Sequence, residues 1–487
     1  MILEIIGAKL ISPIFGASHF VWMSQITITL LALSVGAYLS TYLPKKNLAF
    51  LFFILFGSSL YSILTNFFFR EIAFSLLNLP FIGATIITSL LLYFIPLTSL
   101  GLVFPYLTDE IKDVSNNPLG KVSALSTLGS IFGTLLSGIV LIRYFDNQSI
   151  LFYTFCVNVF WSLNYLFVKD KLSFHRAMTL MMTLVIGGAI SLIVFKPNDT
   201  PNGNIKVIEN KNSPFGEVIV VEQGFSRMIL NDGITQITYN YIIDKPSHHF
   251  IYALRELALL SRPNLKKVLH IGVGPGIIPT DFQKRGIENT AVEINPAMIE
   301  IAKKYFKYDD TKIKTIIQDG RFFIKQTQEK YDAIILDAFL VDSVPVFLLT
   351  QEAFQEMKKI LNQGGIIVIN SFGRVNPPTV LTASLSKTLK TVFKNSRIYT
   401  LDQFNVFFLA SDDSTDFKGE TDYEEVNPEV REKVRTLLSK EIPIDDSKGI
   451  IMTDHSNRIE VFDDNPTELF RKKVLLGFMK KDTENLK

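Results

Sequence analysis

Within its first 196 residues the chain returns repeatedly to apolar runs of about the length that a bilayer demands. A helical span needs about 20 apolar residues. Such runs lie near 1–14, 20–43, 48–68, 83–105, 123–143, 150–168 and 177–195. The polar breaks between them are short, which suits helices that satisfy their own backbone groups in lipid and does not suit a water-soluble core. The sequence therefore predicts an all-α, multi-pass transmembrane bundle over 1–196. The first run is short and carries Glu4 and Lys9, so a partial span is expected there; it lacks the basic opening of a cleaved leader. Gly129, Gly133 and Gly138, with Ser126, Ser130 and Ser137, suit close helix–helix approach. Charge inside the runs is otherwise scarce, which points to packing rather than to an ion path.

Sidedness follows less directly. With seven spans, Lys45, Lys46, Lys112, Lys121, Lys169, Lys171 and Arg176 share one face of the membrane. Arg70, Arg143 and Lys196 fall on the other, with the second half of the chain. The positive-inside rule alone would put that half outside the cell. A re-entrant or double pass around Pro80 evens the count, and a nucleoside cofactor made in the cytosol favours a cytoplasmic face. The expectation is a cell-membrane protein whose soluble half is cytoplasmic.

Residues 197–204 form a polar, Pro- and Gly-bearing linker. In 205–245, β-branched residues alternate around Asn231-Asp232-Gly233, which predicts a small antiparallel β unit with a hairpin. His248 to Leu260 has helical spacing, with His248 and His249 read as polar residues at its start. From 246 to 412 the pattern is Rossmann-like α/β. A tail over 413–487 holds two helix candidates, Pro428–Lys440 and Pro466–Met479. A formal charge of +2 gives no reason to expect nucleic acid, and the single cysteine, Cys156, leaves no disulfide framework or zinc cluster.

The chemistry concentrates between Lys267 and Phe339. An apolar strand, Val268 to Ile271, enters the turn Gly272-Val273-Gly274-Pro275-Gly276. The spacing is G-x-G-x-G, with Ile277 where a dinucleotide fold needs its third glycine, which suits the nucleoside fold of S-adenosylmethionine enzymes. Glu293 ends the next strand about 20 residues on, where a carboxylate accepts ribose hydroxyls. Asp319-Gly320 follows the third strand, and an acid there can accept from an adenine amino group. Asp337 closes Tyr331 to Leu336 and is a candidate general base at the mouth of a central strand. No metal is expected.

In this order, with Gln236 on the hairpin, these motifs resemble those of the spermidine synthases (polyamine aminopropyltransferases) over about residues 210–410. The opening Glu4–Gly16 segment and Leu100–Pro105 are similar to forms of that family fused to a multi-pass bundle. Ile451 to Glu460 is similar to a late L-T-D-D-x-x-P-x-E stretch, departing at His455 and Arg458. The resemblance implies decarboxylated S-adenosylmethionine as aminopropyl donor, a diamine as the small-molecule amine acceptor and a homodimer. It implies that the glycine turn, Glu293 and Asp319-Gly320 hold the nucleoside, that Asp337 accepts the proton and that Gln236 contacts substrate. It also exposes departures. Pro275 stands where the family carries an acid, Tyr252-Ala253-Leu254 replaces Tyr-His-Glu, and Ala338-Phe339-Leu340 follows Asp337 where another acid is usual. Asp342 and Glu352 are the acids available to replace those lost. Two other readings stay open: methyl transfer from ordinary S-adenosylmethionine to a membrane-proximal or lipid substrate, and a non-catalytic nucleoside-binding membrane protein.

Overall fold

The computed structural model describes residues 1–15, 19–44, 47–77, 79–145, 147–169, 205–338, 345–401 and 404–456. The expected span at 177–195, the linker, Asp342 and the helix candidate Pro466–Met479 lie outside them. Two compact units divide the chain at Thr200/Pro201.

The first unit is all helical. Among the described residues, four helices are long and apolar enough to cross a membrane: Phe20–Tyr42, Leu48–Phe67, Ile82–Glu110 and Pro118–Leu141. Ile2–Phe15 has 14 residues, too few to span alone. In place of a double pass around Pro80, the chain makes a short helix, Phe69–Ser75, and then one long helix from Phe81. His19–Leu39 and Phe81–Gly101 run parallel. Near their starts the hydroxyls of Ser24 and Thr85 lie 3.1 Å apart. Near their ends a Cβ on Gly36 would sit 2.1 Å from the Thr98 carbonyl oxygen, and one on Gly101 2.6 Å from that of Leu33. Small residues thus let the two backbones touch.

The second unit holds two sheets. The smaller is antiparallel in the order β1 (Ile205–Ser213), β2 (Gly216–Gln223), β3 (Ser226–Asn231), β4 (Ile234–Asn240) and β5 (Lys245–Pro246). Asp232 and Gly233 join β3 to β4 with φ of 43° and 76°, the two positive values that a tight two-residue hairpin requires. The larger sheet contains β6 (Lys267–Ile271), β7 (Glu288–Glu293), β8 (Lys314–Ile317), β9 (Tyr331–Leu336), β10 (Leu361–Phe372), β11 (Asn395–Thr400) and β12 (Asn405–Ser411). Their order is β11-β12-β10-β9-β6-β7-β8. The run from β10 to β8 is parallel, and β12 pairs antiparallel with both β10 and β11.

Successive residues of the central strands enter opposite cores. Val268, Ala333, Ile335, Ile366 and Val368 pack on one face of the sheet, among residues of the helix His249–Ser261. Leu269, Ile271, Ile334, Leu336, Ile367 and Ile369 pack on the other, with the helices Gln351–Lys359 and Val380–Val392. Burial on both faces is why these strands read as unbroken apolar runs. The winding reverses between β6 and β9, which are neighbours although β7 and β8 intervene in sequence. At such a switch point the crevice beyond the strand ends is open to a ligand.

Gly36→Leu is expected to force the two parallel helices apart and to cost about 1–3 kcal/mol. Thermal unfolding of the detergent-solubilised protein checks this; an unchanged melting curve would show that the helices do not cross there.

Candidate active site

β6 and β9 end side by side, and their last hydrogen bond fixes the floor of the cleft: the Asp337 amide donates to the Ile271 carbonyl oxygen at 3.0 Å. Gly272 follows with φ of 86°, and a Cβ there would lie 2.3 Å from the Asp337 carbonyl oxygen. Only a residue without a side chain fits that backbone and that space. Gly274, also at positive φ, has open space where its Cβ would be. A ligand can therefore approach the turn's backbone.

A cavity of about 300 Å³ opens above this floor. Gly272, Gly274, Glu293, Asp319, Gly320, Asp337 and Gln236 all line it, so residues spread over a hundred positions of sequence meet. Gly276 does not line it. It begins the helix Ile277–Lys284 at φ of 74°, and a Cβ there would strike the ring of Tyr308. Glu352, expected as a substitute acid, does not line it either. It accepts the Asp454 amide at 3.0 Å, because the late segment docks on the helix Gln351–Lys359.

The three acids are held differently. One Glu293 oxygen accepts the amides of Val273 (3.0 Å) and Gly274 (3.4 Å), and the other that of Asn295 (2.9 Å). Glu293 thus ties the glycine turn to the end of β7. Burial raises its pKa, and the backbone donors oppose that rise. Asp319 caps the helix Gly320–Gln326 by accepting the Phe322 amide at 2.8 Å. That leaves one carboxylate oxygen outside the cap. Among the described residues, Asp337 has one side-chain donor, Nδ2 of Asn370 at 2.9 Å, whose own oxygen accepts Nδ2 of Asn405 at 3.1 Å. Burial pushes the Asp337 carboxyl up to about 6; the Asn370 hydrogen bond opposes this, and the negative charge of Glu293 adds to it. A carboxylate so placed is ionised at neutral pH, yet basic enough to take a proton.

Several lining residues escape a reading of the sequence. Asn370 lies in β10 directly beside Asp337, since Ile369 pairs with Leu336. Its signal is a lone amide closing a five-residue apolar run, Gly365-Ile-Ile-Val-Ile-Asn370. Phe372 closes β10, and Asn405 and Phe404 reach the cavity because β12 folds back antiparallel on it. His248 lines the cavity too, and its Nδ1 accepts the Thr238 amide at 3.0 Å, joining the first helix to the hairpin. Burial and the neighbouring His249 push its pKa down to about 4, so it is neutral at pH 7. Arg321, buried behind the cleft, pairs with Glu356 (2.5 Å) and Asp454 (3.0 Å) and donates to the carbonyl of Phe347, a wall residue. Asp454 therefore ties the late segment to Arg321 and to the Thr350 hydroxyl, which donates to it at 2.6 Å.

An acid-lined cleft at the switch point of a Rossmann-like sheet, with residues of a β-hairpin in its lining, is the arrangement of an α/β enzyme with a small-molecule site. Residues 249–402 match the spermine/spermidine synthase domain. The polyamine aminopropyltransferase of Sulfurisphaera tokodaii is 32% identical over 250 residues, covering 47% of this chain and 78% of that one. For the Saccharolobus solfataricus enzyme the identity is 32% over 204 residues, covering 39% and 65%. For that of Thermoplasma acidophilum it is 28% over 182 residues, covering 36% and 65%. The crystal structure of spermidine synthase from Thermotoga maritima is 21% identical with a TM-score of 0.37, covering 55% of this chain and 88% of that one. The chain belongs to the polyamine aminopropyltransferase family and is an aminopropyltransferase-type enzyme.

Asn370→Ala removes the side-chain donor that, among the described residues, holds the Asp337 carboxyl down. The acid limb of kcat/KM is expected to move to higher pH than in the wild type, where it falls near 6. Rate–pH profiles of both proteins check this; superimposable profiles would detach Asn370 from the reacting carboxylate.

Proposed function

We propose that the chain is a membrane-anchored aminopropyltransferase that takes its aminopropyl group from decarboxylated S-adenosylmethionine, with Asp337 as proton acceptor. One observation carries this reading. Among the described residues, the cavity is lined by three carboxylates and by no lysine or arginine. A donor that keeps its α-carboxylate would bring a further anion among those acids, and unpaired buried charge is expensive. The decarboxylated donor carries only positive charge, on its sulfonium and its ammonium.

The backbone of Gly272 to Gly274 lies against the nucleoside, Glu293 accepts from the ribose hydroxyls, and Asp319 with Gly320 meets the adenine. An alkylammonium acceptor has a pKa near 10.4 and no free electron pair. Asp337 attracts that cation and takes one proton. The freed nitrogen pair attacks the propyl carbon attached to sulfur, the carbon–sulfur bond breaks, and its electrons leave on sulfur as neutral methylthioadenosine. Holding nitrogen, carbon and sulfur in line supplies most of the acceleration. Gln236, on the hairpin above, orients the acceptor. The four long apolar helices support anchoring in a membrane.

Asp337→Asn keeps the shape of the side chain and the Asn370 contact but cannot take the proton. Turnover, read as methylthioadenosine release, is expected to fall at least about a hundredfold, while calorimetry shows donor binding retained. Decarboxylated S-adenosylmethionine should bind more tightly than the carboxylated form; the opposite preference would overturn aminopropyl transfer in favour of methyl transfer.

The same variant tests what the acid does to the fold. A carboxyl whose pKa is higher folded than unfolded stabilises the protein below its unfolded value, and that contribution is lost as pH rises through about 6. At neutral pH the ionised Asp337 therefore destabilises the ligand-free protein, by roughly 2–3 kcal/mol. Asp337→Asn is expected to melt higher than wild type at pH 7.5, with the gap closing toward pH 4. A lower melting temperature would show that burial does not strain this carboxylate.

A further inference from the structure

We infer that two turns at one end of the smaller sheet, Gly224-Phe225 and Tyr241 to Asp244, rest in the surface of a lipid bilayer, an inference that rests on the membrane-anchored reading. Strand register puts both turns at the same end. Gln223 and Ser226 pair across the first, Asn240 and Lys245 across the second, and Ser226 pairs with Asn240. The turns also bond to each other. The Tyr241 amide donates to the Phe225 carbonyl oxygen at 3.2 Å, and the Tyr241 hydroxyl to that of Gly224 at 2.8 Å. Four large apolar side chains stand out from them: Phe225 is 66% exposed, Ile242 64%, Ile243 41% and Tyr241 37%. Exposed apolar side chains grouped on adjoining turns mark a surface that a membrane or another protein covers.

The path of the chain names lipid as the occupant. β1 enters the sheet at this same end, because Ile205 pairs with Gln223. Residues 196–204 are all that separate Ile205 from the last apolar run of the sequence, which ends near 195. A chain of that length reaches at most about 35 Å. The end of the sheet that carries the apolar turns is therefore the end held on a short tether to any bilayer that takes up that run. The opposite end serves the cleft, where Phe215, Asn231 and Ile234 line the cavity.

The second turn is also built for an apolar medium. The Ile242 and Ile243 amides donate to Oδ1 of Asn240 at 3.0 and 3.3 Å. With Tyr241 bonded to Phe225, three successive amides are satisfied without water, as lipid requires. The acid of this turn, Asp244, pairs with Lys307 at 2.6 Å and accepts the Tyr239 hydroxyl at 2.7 Å. Tyr241 is of the residue type that collects at the level of lipid headgroups.

The experiment uses the full-length protein, one copy per nanodisc of phosphatidylcholine and phosphatidylglycerol. Ile242→Cys in a Cys156→Ser background gives an environment-sensitive fluorophore one point of attachment. Its emission is expected at shorter wavelength than that of the same label at Gln355→Cys, an exposed position on the helix Gln351–Lys359. Nitroxide-bearing lipid should quench it at least about twofold more strongly than the reference label. Phe225→Ser with Ile243→Ser is expected to cut that quenching by about half and to leave methylthioadenosine release unchanged, since neither residue lines the cleft. A label at 242 that aqueous iodide quenches and nitroxide lipid does not overturns the inference and leaves anchoring standing. So does a shift to shorter wavelength that occurs only when two copies share a disc, which assigns the turns to a second copy of the chain. Protein that leaves the lipid in an alkaline wash overturns anchoring, and this inference with it.

Discussion

The contact between the ends of β6 and β9 governs the rest of the site. One backbone hydrogen bond, from Asp337 to Ile271, sets the depth at which the two strands stop. Gly272 then turns away within van der Waals reach of the Asp337 backbone, at a φ that side chains avoid. The residue proposed to take the proton and the loop proposed to hold the nucleoside are therefore placed by a single junction. Since the strands are buried on both faces, that junction moves only with the core. Glu293 extends the same logic sideways, because its carboxylate binds the glycine turn to the adjacent strand.

That arrangement sets stability against chemistry. Three carboxylates lie in one cavity, two of them with pKa values raised chiefly by burial. A fold selected for stability alone would neutralise Asp337 with a cation or replace it. Instead it receives only an amide donor, which orients the oxygen without supplying positive charge. The missing charge is what the ammonium proposed to meet Asp337 would bring, and a described lining without lysine or arginine suits that role.

Much of this was legible in the sequence. Continuous apolar strands ending in Gly272, Glu293, Asp319 and Asp337 announce a parallel sheet with its crevice at the strand ends, because strand period and turn chemistry are local properties. Asn231-Asp232-Gly233 announced its hairpin for the same reason. Asn405 and Phe404 were not legible, since they reach the cleft through an antiparallel return of β12 that no local pattern encodes, and Asn370 and Phe372 depend on β10 pairing beside β9. Glu352 misled because a helical acid near a site looks available; its engagement by the Asp454 amide depends on a segment a hundred residues away. In the helical unit, the first run forms a helix of 14 residues, short as its sequence suggested, whereas the region around Pro80 forms one long helix preceded by a short one rather than a double pass.

The two units obey opposite rules for polar groups, and the contrast bears on why they share a chain. In the helical unit, small residues and hydroxyls let backbones approach: Gly36 meets Gly101, and Ser58 bonds Ser99 at 2.7 Å. Nothing charged is placed at these contacts, as lipid requires. In the α/β unit, charge is gathered and left uncompensated at the cleft. A catalytic surface of that kind works in water and gains nothing from the bilayer electrostatically. The contacts of the helical unit are thus set by the medium its apolar surface suits, and those of the cleft by the proton transfer proposed for Asp337.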